Sequence, residues 1–145
     1  MTAKNTTPQK AAAGLTREDI RFHLLAMYRN GERFVIKPRL NPSEKDNSVD
    51  YLLCGEHCYG LVIMHDGRVS CFLLRMSPET ARPLLKGGRI APAETGRDGN
   101  WFMLPAGELF FTKREMFRIL DECYDFALRD FYLKRCARKL AACLA

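Results

Sequence analysis

Cys54-Gly-Glu-His57-Cys58 is the tightest gathering of chemically capable side chains in the sequence. Thiolates and an imidazole are zinc-ligand types, but a structural zinc site needs four ligands, usually as two separated pairs. The remaining cysteines, Cys71, Cys123, Cys136 and Cys143, fall in apolar strand or helix patterns and supply no second close pair. Reduced structural thiols are therefore the stronger reading. A Cys54–Cys58 disulfide requires a backbone that brings the two Cα atoms within about 7 Å. A cysteine nucleophile would need a base and a group to orient that base. His57 and His65 are the local candidates, and no nucleophile motif surrounds either thiol.

Other chemistry is thinner. The chain has no glycine-rich dinucleotide or phosphate-binding fingerprint, no paired-histidine zinc motif and no serine elbow. Asp121 and Glu122 fall on a helix surface, where solvation is the default, and His23 reads as a surface or boundary residue. Trp101 is a conceivable stacking platform for a base. It begins an apolar strand, which favours a core role. No catalytic residue, cofactor or metal is expected, and the chain reads as a non-enzymatic domain.

Charge gives a more definite direction. Lys and Arg number 23 against 17 acids, a formal net charge of +6. Contact with a polyanion, nucleic acid or an acidic surface, fits that balance. The cations concentrate late in the chain, at Arg129, Lys134, Arg135, Arg138 and Lys139, against the single acid Asp130. On a helix, Lys134 and Arg138 align at i, i+4, as do Arg135 and Lys139. The result is a broad positive face suited to phosphates, which carry affinity without sequence information. Arg75 and Arg97 are weaker candidates for the same surface. The alternative is an ordinary solvated helix end, where cations complement the helix dipole. A protein-interaction or small-ligand module without catalysis is the second functional class.

These residues need a scaffold, and 145 residues suit one domain. Residues 1–14 are polar and Ala-rich and read as a flexible tail, leaving 15–145 as the folded part. The tail has no signal-peptide core, and no run reaches the roughly 18 apolar residues of a membrane span. A cytoplasmic, reducing setting and no membrane partner are the expectation.

Thr16 and Asp19 predict a helix start, with Ile20, Leu24, Met27 and Tyr28 as its apolar stripe and Asn30-Gly31 as its stop. Phe34 to Lys37 predicts a short strand, and Pro38 through Ser48 an exposed loop. Val49 to Leu53 predicts a strand interrupted by Gly55. Tyr59 to Met64 and Val69 to Leu74 predict a hairpin around Asp66-Gly67. Both strands are apolar on both faces, which predicts a central position with both faces covered.

Ser77-Pro78 opens a short helix in which Pro83 is awkward, and Gly87-Gly88 ends it. Arg89 to Ala91 and Trp101 to Leu104 are further strands, with a turn at Gly96 to Asn100 between them. Thr112 and Glu115 form a capping box for the longest helix, with Phe111 stapling against Met116. Met116, Ile119, Leu120, Cys123, Phe126 and Ala127 form its apolar face. Hairpin-linked strands followed by a long helix predict an α+β domain: an antiparallel sheet with helices packed on one face.

From about Tyr59 to Tyr132 this layout resembles the MmcQ/YjbR-like family. The pieces are the strand ending Cys71-Phe-Leu-Leu-Arg75, the helix Ser77-Pro-Glu-Thr-Ala81-Arg-Pro-Leu84, the strand Asn100-Trp-Phe-Met-Leu104, and Asp121-Glu-Cys-Tyr124. Trp101 and Tyr124 match the family pattern. Cys123 stands in place of a serine, and Arg75 where a lysine is common. The resemblance covers about half of the chain, and the loop from Pro38 to Ser48 departs from it. It implies a small fold related to the frataxin-like architecture and a DNA-binding role.

Overall fold

The hairpin at the middle of the chain organises the sheet. Asp66 (φ 51°) and Gly67 (φ 78°) both take left-handed backbone, so the chain reverses in two residues. This joins β3 (His57–His65) to β4 (Arg68–Arg75). Gly55 (φ 63°) makes the preceding reversal, from β2 (Val49–Cys54) into β3. The computed structural model describes residues 14–30, 36–93, 99–107 and 110–144. With β1 (Pro38–Pro42), β5 (Ala91–Pro92) and β6 (Trp101–Pro105), the strands form one sheet in the order β1-β2-β3-β4-β6-β5. Every pairing is antiparallel.

β1 corrects the sequence reading, which placed a loop there and a strand at Phe34 to Lys37. Ile36 and Lys37 are not in a strand, and Phe34 lies outside the described residues. Prolines at both ends of Pro38–Pro42 suggested a loop. β1 is an edge strand, however, and an edge strand tolerates residues that cannot donate to a ladder. The expected strand at Arg89 to Ala91 is displaced to Ala91–Pro92. Of the turn expected at Gly96 to Asn100, only Gly99 and Asn100 are described, Gly99 with φ 74°.

The helices start where local chemistry satisfies their free backbone donors. α1 (Arg17–Asn30) begins with a reciprocal cap: Thr16 N donates to Asp19 Oδ2 (2.9 Å) and Asp19 N to Thr16 Oγ1 (3.2 Å). Ile20 and Leu24 are buried, Met27 packs against the core, and Tyr28 is exposed rather than part of the stripe. α2 (Pro78–Lys86) is capped by the Ser77 hydroxyl, which accepts from Thr80 N. It continues through Pro83, and Gly87 N closes the helix by donating to Pro83 O. α3 (Lys113–Leu144) has its capping box: Thr112 N to Glu115 Oε1 (3.0 Å) and Glu115 N to Thr112 Oγ1 (3.1 Å). Phe111 and Met116, on either side of that cap, are both buried.

The three helices of the described residues share one core with one face of the sheet. Leu52, Val62, Phe72, Leu74, Phe102 and Leu104 from the strands meet Ile20, Ala81, Ile119, Leu120 and Cys123. The arrangement is α+β, an antiparallel sheet with helices on one face and a long C-terminal helix. The expectation that both faces of the central strands are covered is corrected. Leu61, Ile63, Cys71 and Leu73 alternate with the buried set and are only half-buried, and Met103 and Tyr51 are exposed. Apolar side chains on two faces had signalled burial, but among the described residues all the helical cover falls on one face. No helix among the described residues is long and apolar enough to cross a membrane.

Candidate nucleic-acid interface

The first half of α3 is anchored and the second half projects. Met116, Ile119, Leu120, Cys123, Tyr124 and Ala127 are buried, whereas every residue from 132 to 144 is exposed. With about 3.6 residues per turn, the stripe 116-120-123-127 continues to Phe131, Lys134 and Arg138. Cations thus take over the azimuth that the core occupied two turns earlier. Residues 131–145 contain four cations and no acid.

The cations are not equally free. Asp130 holds Lys134 (Nζ–Oδ2 3.3 Å) and also Arg75 (Nη2–Oδ2 3.6 Å). Arg75 lies over the Phe126 ring as well, 4.5 Å from its centroid, which fixes it against the helix. Arg129 neighbours Asp125, whose carboxyl is pushed above its ordinary value by burial first and by Asp121 second, with Arg129 opposing both. Arg135, Arg138 and Lys139 are exposed and form no ion pair with the described residues. Arg97 lies outside the described residues. The structure therefore brings Arg75 and Lys134 together at one carboxylate, and places the three unpaired cations on the projecting turns beyond it. The one signal for this partition was Asp130, the lone acid of the stretch, at helical spacing from Lys134.

Where the helix leaves the sheet there is a small polar cleft of about 150 Å³, lined by His57, Cys58, Tyr59, Arg75, Asp130 and Lys134. The strand residues of the Cys54-to-Cys58 cluster separate here. Cys54 is wholly buried, while His57 meets the edge of the Phe131 ring (centroids 5.4 Å apart). Cys58 Sγ donates to Gly60 O (3.3 Å). All six cysteines are free thiols. Burial raises the Cys58 and Cys71 thiols, pushes Cys54 up to about 11 and raises Cys123 further still. A thiol held protonated is a poor nucleophile and a poor metal ligand. Among the described residues, no three His, Cys, Asp or Glu side chains are grouped to hold a metal ion.

Three further residues sit otherwise than expected. Asp121 is not simply solvated: its Oδ1 lies 2.6 Å from His23 Nε2, and the His23 ring stacks on Phe117 at 4.3 Å. Glu122 accepts from Thr80 Oγ1 (2.9 Å) and from Arg118 (2.9 Å), tying α2 to α3. Trp101 is half-buried at the start of β6, with its neighbour Phe102 taking the core position instead. Tyr124 is buried, and its hydroxyl donates to Ile36 O. Between the sheet and α3 the space is filled by Tyr59, Phe72, Leu74, Cys123 and Tyr124. Compared with family models, curated proteins and solved structures, the chain matches none.

Proposed function

We propose that this is a non-enzymatic domain of a reducing cytoplasm that binds nucleic acid through the projecting half of α3. The observation that carries the reading is the acid-free run 131–145, whose cations Arg135, Arg138 and Lys139 are exposed and unpaired among the described residues. Lys134 and Arg129 flank them, and Arg75 stands at the base of the same helix. A preformed helix of this kind offers guanidinium and ammonium groups to successive phosphates without reading bases. The MmcQ/YjbR-like resemblance points the same way, and Trp101 and Tyr124 are the residues that match its pattern.

The test is a salt titration of binding to duplex and single-stranded DNA, read by fluorescence anisotropy. Binding is expected in the range of about 10⁻⁴ to 10⁻⁶ M and without sequence preference. Replacing Arg135, Arg138 and Lys139 by Ala should reduce the slope of log K against log salt by about 1 per cation removed. Failure of both DNA forms to bind at low salt removes the proposal. A protein-interaction module is the second reading, and the open apolar face of the sheet is what favours it.

A further inference from the structure

The projecting turns of α3 separate charge from apolar surface. At about 100° per residue, Lys134, Arg135, Arg138 and Lys139 fall within an arc of about 140°. Across the helix axis, Leu133, Leu140 and Leu144 fall within about 40°, flanked by Cys136, Cys143, Ala137 and Ala141. That apolar arc spans roughly 160° and holds no charged residue. Its three leucines are 69%, 62% and 80% exposed, so the domain leaves them bare. They lie on the side of the helix away from the sheet. The buried Met116, Leu120, Cys123 and Ala127 share instead the azimuth of Lys134 and Arg138.

From this segregation we infer that the projecting half of α3 docks on an anionic lipid surface, its leucines in the acyl boundary and its cations among the headgroups. A bare apolar arc, a basic arc opposite it and no acid make the pattern of an interfacial helix. Lys139 and Lys134, the latter also beside Asp130, border the apolar arc on its two sides. Their long stems let an ammonium reach headgroup phosphates while the leucines sink below. The helix rests on the surface and does not cross it, and no helix among the described residues could. The expectation of no membrane partner rested on the lack of a span, which a surface-lying helix does not need. The contact is confined to these turns, because further back the same side of α3 carries Arg129, Asp125 and Glu122.

Charge selects this occupant over a second copy of the helix. Two such helices packed leucine to leucine double the cations and bring no acid to offset them. The apolar arc also runs through only about two heptads, and a coiled coil needs about three or four. On an anionic bilayer, apolar burial and the attraction of each cation add, so a short arc suffices for reversible binding. Nucleic acid offers phosphates as well but leaves the leucines in water. The inference does not rest on the proposed function. The two ligands draw on the same cations, and the leucines tell them apart.

The test is flotation of the full chain with vesicles of phosphatidylcholine alone and of phosphatidylcholine and phosphatidylglycerol in equal parts. Binding is expected only to the second, and it should weaken as salt rises. Leu133→Gln, Leu140→Gln and Leu144→Gln together remove apolar groups that the fold leaves exposed, and Gln keeps the helix propensity. This variant should bind the anionic vesicles at least about tenfold more weakly, with DNA binding unchanged. Replacing Arg135, Arg138 and Lys139 by Ala should weaken vesicle binding about fivefold per cation. Native thiols report the orientation. Exposed Cys136 and Cys143 should react with maleimide more slowly on anionic vesicles, while half-buried Cys71 keeps its rate. Absence of flotation with phosphatidylglycerol overturns the inference. So does a triple leucine variant that floats like the parent, or a Cys136 and Cys143 pair left unprotected. A chain that floats but binds no DNA removes the nucleic-acid reading alone.

Discussion

Asp50 is fully buried on β2, and Arg17 at the start of α1 meets it with two hydrogen bonds: Nε to Oδ2 at 2.5 Å and Nη2 to Oδ1 at 2.9 Å. The hydrogen bond to Asp50 is the largest cause of the raised Arg17 pKa. A bidentate guanidinium is the geometry that keeps a buried carboxylate tolerable. Arg17→Ala should cost about 3 kcal/mol, because the carboxylate is left without its counter-charge. Arg17→Lys should recover part of that loss and not all, since one ammonium cannot reproduce the fork. Urea melts of the three proteins check the order, and an Arg17→Ala protein as stable as the parent would contradict it. Nothing local in the sequence joins residues 17 and 50. The same holds for Gly60, where a Cβ would come within 2.7 Å of Leu74 Cδ2 and 2.8 Å of Leu52 Cδ1. That strand glycine has its reason in two neighbouring strands, and only the register reveals it.

Among the elements, α3 is stabilised unevenly. Its first turns have a capping box, Arg89 Nη2 on Glu115 Oε2 (2.8 Å) and a buried face, while 132–144 have no such cover. Thr112→Ala should therefore destabilise the protein by about 1 kcal/mol, and Thr112→Ser should not. Thermal or urea unfolding decides it, and equal stability of all three would show the cap to be idle. The elements legible in the sequence were those fixed by neighbours along the chain. Thr-x-x-Glu, Ser-Pro and Asp-Gly each act within four residues, and each formed as read. β1 was not legible, because prolines are acceptable there only by virtue of the strand's place at the sheet edge. The long basic helix was legible as a helix with a cationic end. That Asp130 would hold Lys134 was legible from their i, i+4 spacing, whereas its second partner, Arg75, arrives from β4 and was not.

At the scale of the whole molecule, composition announced an apolar sheet but not how many layers cover it. Ile63 and Leu73 look like core residues in sequence, and three helices placed on the other face leave them half-buried. The same packing sets the response to acid. Asp19 is held below the usual carboxylate range, first by the backbone N–H of Thr16 and further by Lys113 of α3, 3.7 Å away. Glu115 is lowered first by the backbone N–H of Thr112, then by its hydrogen bond from Arg89. For both groups the folded pKa lies below the unfolded one, so their contribution is complete at neutral pH. It begins to fade near the unfolded values of about 4 and is lost as pH falls through the folded values. Asp125, raised by burial, works in the opposite sense, since protonating it relieves a cost of the folded state. Asp46 is lowered as well, by its hydrogen bonds from Ser48, so among the described residues three lowered carboxyls stand against one raised, and acidification should destabilise the fold. The urea midpoint should be flat from about pH 7 to pH 5 and fall below about pH 4. Asp19→Asn should lower the midpoint at pH 7 and make the acid fall shallower, because the group whose charge caps α1 and meets α3 no longer titrates. A midpoint that stays constant to pH 3, or an Asp19→Asn curve parallel to the parent, would rule out this account.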